Sequence, residues 1–256
     1  MANQRSDPIR RQYFGPVEFA DKVSDWLFYI GAALSFVVLF VEKQDHPSLY
    51  SALFGAYVIL VVALFVVGQM SRLYLVPRAE EHRRLDFFTN ACGVSLTDER
   101  TAGYYNNDFS EPIKKMAAQV LENALFSKEI ALRMARFERL RLGIYLLLWL
   151  VALLNRTTDL GLILAAAQAI FSEQLLSRWL RIEWMRMRFE EVYNDVYKLF
   201  ASKPAMGVFR AMALTYLADY ETTKANGGIT LSSSVFERLN PELSEKWVAV
   251  RRSLDI

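Results

Sequence analysis

Apolar and polar positions divide this chain into four hydrophobic runs separated by charged stretches. Residues 1–25 are polar, include Pro8, Gly15 and Pro16, and read as an N-terminal interfacial arm. The first run, Trp26 to Val41, is 16 residues without a charge, bounded by Asp25 and Glu42. After the polar link Glu42–Pro47, the 25 residues from Pro47 to Ser71 contain no Asp, Glu, Lys, Arg or His. A membrane-spanning helix needs roughly 20 apolar residues. The second run meets this outright and the first meets it with its flanks. The pair predicts a transmembrane hairpin over 26–75.

The second pair is shorter. Leu142–Asn155 lies between Arg141 and Arg156, and Leu160–Ser172 follows the polar tip 155–159. Runs of this length give roughly 20 Å of helix, against a hydrocarbon core of roughly 30 Å. One reading has the hairpin 141–178 spanning fully, with Arg139, Arg141 and Arg178 reaching to the interface beside Trp179. The other has it re-entrant. Charge asymmetry favours spanning. Of the 30 Lys and Arg, 4 precede the first run, 12 lie between the pairs and 12 follow the fourth, leaving only Lys43 and Arg156 on the other side. Positive residues mark the cytoplasmic face. The expectation is a multi-pass protein of the bacterial inner membrane with both termini cytoplasmic.

Helical sequence continues beyond the runs. Pro112 suits a first helical turn, and only Gly143 interrupts the 42 residues from Ile113 to Leu154. Met116, Val120, Ala124 and Phe126/Ser127 form an apolar face, with Lys114, Lys115, Glu122, Lys128 and Glu129 on the rest. Leu160–Ser202 is likewise free of Pro, and of Gly after Gly161. Each stretch reads as one helix, roughly 60 Å if straight. Residues 76–140 are thus a cytoplasmic segment with a stalk helix, and 179–256 are C-terminal cytoplasmic helices. A helix over Ala205–Lys224 ends at Asn226-Gly227-Gly228 as a left-handed cap. Ile229–Leu231 reads as a short extended piece. A last helix is expected to start at Asn240-Pro241, with Leu243, Trp247, Val250 and Leu254 on one face. The fold class is an all-α integral membrane protein, two transmembrane hairpins plus a cytoplasmic helical domain.

Composition adds little to this picture. Net charge is +2, so bulk charge points to no nucleic acid polymer. A mean hydropathy of +0.14 fits a chain part membrane and part charged helix. Cys92 is the sole cysteine, so no intramolecular disulfide forms; it reads as a small packed residue. No cleavable signal peptide is expected.

Catalytic chemistry is not expected, and the chain reads as no enzyme. His46 and His82 fall on opposite sides of the predicted membrane, so no metal site is expected. No phosphate loop, dinucleotide motif or nucleophile elbow occurs, and no cofactor is implied. Asp86, Asp98, Glu99, Asp108 and Glu111 read as solvated loop charge. The runs lack the ionisable groups a proton relay needs. In the fourth run Gln168 and Ser172 share one helix face, with Glu173 next to it at the inner end. An amide facing lipid is unfavourable, so these three are the pore-lining candidates. Gly31/Ser35 and Ser51/Gly55 suit close helix packing, within or between chains.

The middle cytoplasmic segment carries the ligand candidates. Tyr104, Tyr105, Asn106 and Asn107 follow Gly103, and Asn123 sits in Leu121–Ser127. Tyrosine faces and amides can hold a nucleobase, or form a well-bonded turn. Asp86-Phe-Phe-Thr-Asn90 with Gly93, Gly103-Tyr-Tyr-Asn-Asn107, Leu121-Glu-Asn-Ala-Leu-Phe-Ser127, Gly228-Ile-Thr-Leu and Phe236-Glu-Arg-Leu-Asn-Pro241 with Trp247 resemble the SMODS-associated four-transmembrane effector family. The resemblance covers nearly the whole chain and its motifs are not catalytic. It implies a membrane effector of a bacterial antiphage system. A cyclic nucleotide made by a nucleotidyltransferase would activate it, and membrane disruption would stop growth. Four short helices enclose little room, so a pore requires a homo-oligomer in the lipid bilayer. The alternative is a non-conducting membrane scaffold or sensor that recruits a cytoplasmic partner.

Overall fold

The computed structural model describes residues 7–99, 101, 105, 107, 109–154, 161, 163, 166, 167, 170 and 172–256. Every regular element among them is helical. In chain order they are α1 (Gly15–Leu39), α2 (Pro47–Met70), α3 (Val76–Cys92), α4 (Pro112–Leu154), α5 (Arg178–Ser202), α6 (Met206–Gly227) and α7 (Ser233–Leu254). Three five-residue π-helical turns, Arg10–Phe14, Ser71–Leu75 and Glu173–Ser177, precede α1, α3 and α5.

The chain forms two compact units. Unit 1 comprises residues 1–15, 76–135 and 181–256, and unit 2 comprises 16–75 and 136–180. The backbone passes between them four times. Near three of these crossings lies a π turn, a rare element that is frequent at functional sites. The fourth lies inside α4, which is α-helical throughout.

In unit 1 the face predicted for α4 is the buried one: Met116, Val120, Ala124 and Ser127 are all inside. They join Phe189, Val192, Val196 and Leu199 of α5, Phe209, Ala213 and Leu217 of α6, and Trp247 and Leu254 of α7. Glu122, expected on the polar face, is buried too. Helix α6 ends as expected, with Gly228 at φ 55° and its N–H donating to the Lys224 carbonyl at 3.2 Å. Helix α7 starts eight residues earlier than Asn240-Pro241 suggested. Ser232 caps it, its hydroxyl accepting from the Val235 N–H at 3.4 Å, and Pro241 lies inside the helix. Burial of Leu243 and Trp247 on the far side of Pro241 outweighs the one backbone bond that the proline removes. Among the described residues no strand forms at Ile229–Leu231.

Helix α2 of unit 2 and its π turn continue without interruption into α3 of unit 1, one helical run over Pro47–Cys92. It contains the one helix, among the described residues, that is long and apolar enough to cross a membrane, and none of that apolar stretch is buried. Helix α1 begins at Gly15 rather than at Trp26, so much of the expected polar arm is helical. A small cluster of Phe28, Leu142, Ile170 and Leu175 holds the unit together. The helix expected to run from Leu160 to Ser202 is interrupted by a bend at Ser172 and the π turn after it. Gly31 and Gly55 have nothing within 4 Å of a notional Cβ. The Ser35 and Ser51 hydroxyls donate to carbonyls of their own helices, Ala32 and Pro47. These small pairs therefore make no close helix packing among the described residues.

Candidate functional site

A candidate site lies in unit 1, where α3, α4, α6 and α7 and the π turn at Arg10–Phe14 surround a cavity of about 190 Å³. Its walls are of three kinds. Phe14, Phe87, Tyr105, Phe126 and Phe236 supply aromatic surface, with Ile130, Met185, Ile229 and Leu231 between them. Phe126 and Phe236 face each other at 5.9 Å between ring centroids, and Phe87 meets Tyr105 edge-on at 6.0 Å. Asn123, Asn240, Thr230, Ser233 and Ser244 supply neutral hydrogen-bonding groups. The Thr230 hydroxyl is buried without a partner among the described residues.

The third kind is charge. Arg10, Arg83, Arg84 and Lys224 line the cavity together with Asp7, Glu80, Glu122 and Glu221. Most of the cations are already engaged. Arg83 Nη2 donates to Asp7 Oδ2 at 2.8 Å. Lys224 Nζ lies 2.6 Å from Glu80 and 3.1 Å from Glu221. Burial alone would push the Lys224 ammonium down, but Glu80, Tyr220 and Glu221 hold it well above the ordinary lysine value. Arg10 pairs with Glu237 at 2.7 Å. Arg84 is exposed and makes no ion pair among the described residues.

The π turn at Arg10–Phe14 packs on α3. Tyr13 stacks on His82 with centroids 3.8 Å apart, and its hydroxyl donates to Glu99 at 2.9 Å. His82 also pairs with Glu99 at 3.1 Å. The middle acidic residues are therefore not all solvated charge. Glu99 bonds across to the N-terminal turn, and buried Asp86 accepts from the Thr101 N–H at 3.1 Å and its hydroxyl at 2.7 Å. Cys92, expected to be packed, is exposed where α3 ends, just before Gly93 at φ 69°.

Of the ligand candidates from sequence, Tyr105 and Asn123 line the cavity. Asn107 does not, though its amide is buried and unpartnered among the described residues. Tyr104 and Asn106 lie outside the described residues. Of the pore candidates, Ser172 lines a second cavity of about 160 Å³ in unit 2, with Gln174, Tyr57, Ser35 and Phe28 among its walls. Gln168 and the side chain of Glu173 lie outside the described residues. The sequence reading missed Arg83, Arg84, Lys224 and Phe236. The cue for the first two was the charge-dense run Glu80-Glu81-His82-Arg83-Arg84 directly before Leu85-Asp86-Phe87-Phe88. Nothing in the chain's linear order joins that run to Lys224.

Comparisons with family models, with curated proteins and with solved structures return no match for this chain.

Proposed function

We propose that this chain is a multi-pass membrane effector of the kind its sequence resembles. Unit 1 is cytoplasmic and binds a cyclic nucleotide made by a nucleotidyltransferase. Unit 2 forms two membrane hairpins that, in a homo-oligomer, breach the bacterial inner membrane and arrest growth. The observation that carries this reading is the unit 1 cavity. Aromatic and apolar walls suit a nucleobase, amides and hydroxyls suit its edge, and guanidinium groups suit phosphate. Helix α2, apolar and unburied, supports the membrane half. The lysine and arginine asymmetry supports the orientation. Coupling needs only that the ligand favours one arrangement of the protein over another. The four backbone crossings, three of them near π turns, supply routes for it.

The test is dye release from liposomes holding the purified protein, against a panel of cyclic di- and trinucleotides. At least one nucleotide is expected to trigger release. Arg84→Glu, placing a carboxylate where phosphate would sit, should raise the half-maximal concentration at least roughly tenfold, since charge-assisted bonds are the strong ones. Gln168→Leu should reduce release without changing nucleotide affinity. Absence of release with every nucleotide, in a protein that still arrests cells, would replace the pore by the scaffold that recruits a cytoplasmic partner.

A further inference from the structure

The N-terminal turn meets the cavity through an ion pair with a particular chemistry. Asp7 and Arg83 both line the cavity, and their side chains are each only 15% exposed. One carboxylate oxygen of Asp7 accepts from Arg83 at 2.8 Å, and the other accepts from the Arg10 backbone N–H at 2.9 Å. The same aspartate therefore caps the turn and occupies a guanidinium. Arg83 lies 5.5 Å over the Phe14 ring, a second contact between it and the turn. Next to Arg83 in sequence, Arg84 faces the cavity without an ion pair among the described residues. A guanidinium fork binds carboxylate and phosphate by the same geometry. Asp7 holds Arg83 through Nη2 alone, so a phosphate that engages the guanidinium fork in full must take that N–H group from it.

We propose that Asp7 is a built-in stand-in for the ligand's phosphate. It holds Arg83 while the cavity is empty. An arriving phosphodiester, steered by Arg84, takes Arg83 from it and releases the 7–14 segment. This rests on the nucleotide reading of the same cavity. Release bears on unit 2 because the segment runs directly into α1, which enters that unit at Pro16. Asp7 then competes with the ligand, so it lowers affinity and sets the threshold of the response. The Arg10–Glu237 pair, with Glu237 62% exposed, contributes little to the latch because exposed pairs are weak.

The experiment uses full-length protein in lipid nanodiscs, titrated calorimetrically with the panel of cyclic di- and trinucleotides, and followed by hydrogen exchange of residues 7–14. Asp7→Asn and Asp7→Ser both keep an oxygen that can cap the turn while removing the charge. Both should bind the active nucleotide roughly tenfold more tightly, the size expected when a competing state is removed. Exchange of the segment in these ligand-free variants should match that of ligand-bound wild type. Glu237→Gln should leave affinity within about twofold. Nucleotide binding that is unchanged or weakened in both Asp7 variants overturns the latch and leaves the functional reading standing. Equal protection of the segment with and without ligand does the same. Absence of nucleotide binding to wild type and variants alike removes both.

Discussion

The two units place apolar and charged groups in opposite ways. In unit 1 the large apolar side chains are inside: Phe189, Leu199, Leu243 and Trp247 are almost wholly buried. Several of its ion pairs are on the surface, as with Arg188–Glu191. In unit 2 Ile59, Phe65, Leu148 and Leu154 lie outside. One charge group there is turned inward, with Glu138 and Arg141 side chains only 7% and 9% exposed. Glu138 is 3.3 Å from Arg141 and 3.2 Å from Arg178, which is itself 3.9 Å from Asp25. Arg141 also sits 4.9 Å over the Tyr29 ring. Water rewards the first arrangement, because apolar surface leaves it. A low-dielectric surrounding rewards the second, where an apolar exterior costs nothing and a charge must find a partner. This is the contrast that the proposed placement of unit 1 in water and unit 2 in lipid calls for.

The sharpest way to break this contrast is at Glu138. Removing one member of a buried charge group leaves the others uncompensated, which costs about 3–5 kcal/mol. Glu138→Gln should therefore lower the unfolding midpoint steeply, measured by tryptophan fluorescence on heating in detergent. Arg188→Ala, which removes a surface pair of unit 1, should cost under about 1 kcal/mol. Equal losses in the two variants would mean that the inward charges of unit 2 sit in water after all.

A smaller effect separates the glycines. Gly227 ends α6 against the buried Met185 side chain, and a Cβ there would overlap the thioether. Gly227→Ala should cost about 2 kcal/mol, as overpacking does. Gly55 in α2 meets nothing within 4 Å, so Gly55→Ala should gain up to about 1 kcal/mol from helix propensity. Chemical denaturation of the two variants measures both. A loss at Gly55 comparable to that at Gly227 would reveal a second chain packed on α2.

Much of the helical order was readable because run length and punctuation carry it. Pro112 does open α4, and Gly228 does cap α6 in the left-handed conformation. Where local signals misled, packing had overruled them. Pro241 looks like a helix start, yet Trp247 and Leu243 are buried on a helix that already began at Ser233. Glu122 follows a polar pattern, yet it lies at the cavity, where the pattern does not apply. Asp86 reads as loop charge because its partner, Thr101, has no signature of its own. The π turns leave no mark that a period of 3.6 would show. The cavity was legible only in part. Tyr105 and Asn123 stand in segments already singled out, but Lys224 and Phe236 are more than a hundred residues from either, and only the fold brings them together.

The mildest effect concerns the one lysine that unit 1 draws into its cavity wall. Lys224 is held above its ordinary value by Glu80, Tyr220 and Glu221 against the downward push of burial. In the unfolded chain it titrates near about 10.4. A folded value above the unfolded one means that the stabilisation is complete below about pH 10.4 and is lost as pH rises through the folded value. Tyr13, Tyr193 and Tyr216 are raised as well, chiefly by burial, so wild-type stability falls over the same range for several reasons. The difference between wild type and Lys224→Met isolates the lysine. That difference should be about 1 kcal/mol at pH 8, the net worth of a partly buried charge-assisted bond, and should shrink progressively as pH rises above about 10.4 toward the folded value. Melting temperatures of the two proteins from pH 8 upward measure it. A difference independent of pH would assign the loss to packing of the lysine stem, and the ammonium would then add nothing to the cavity wall.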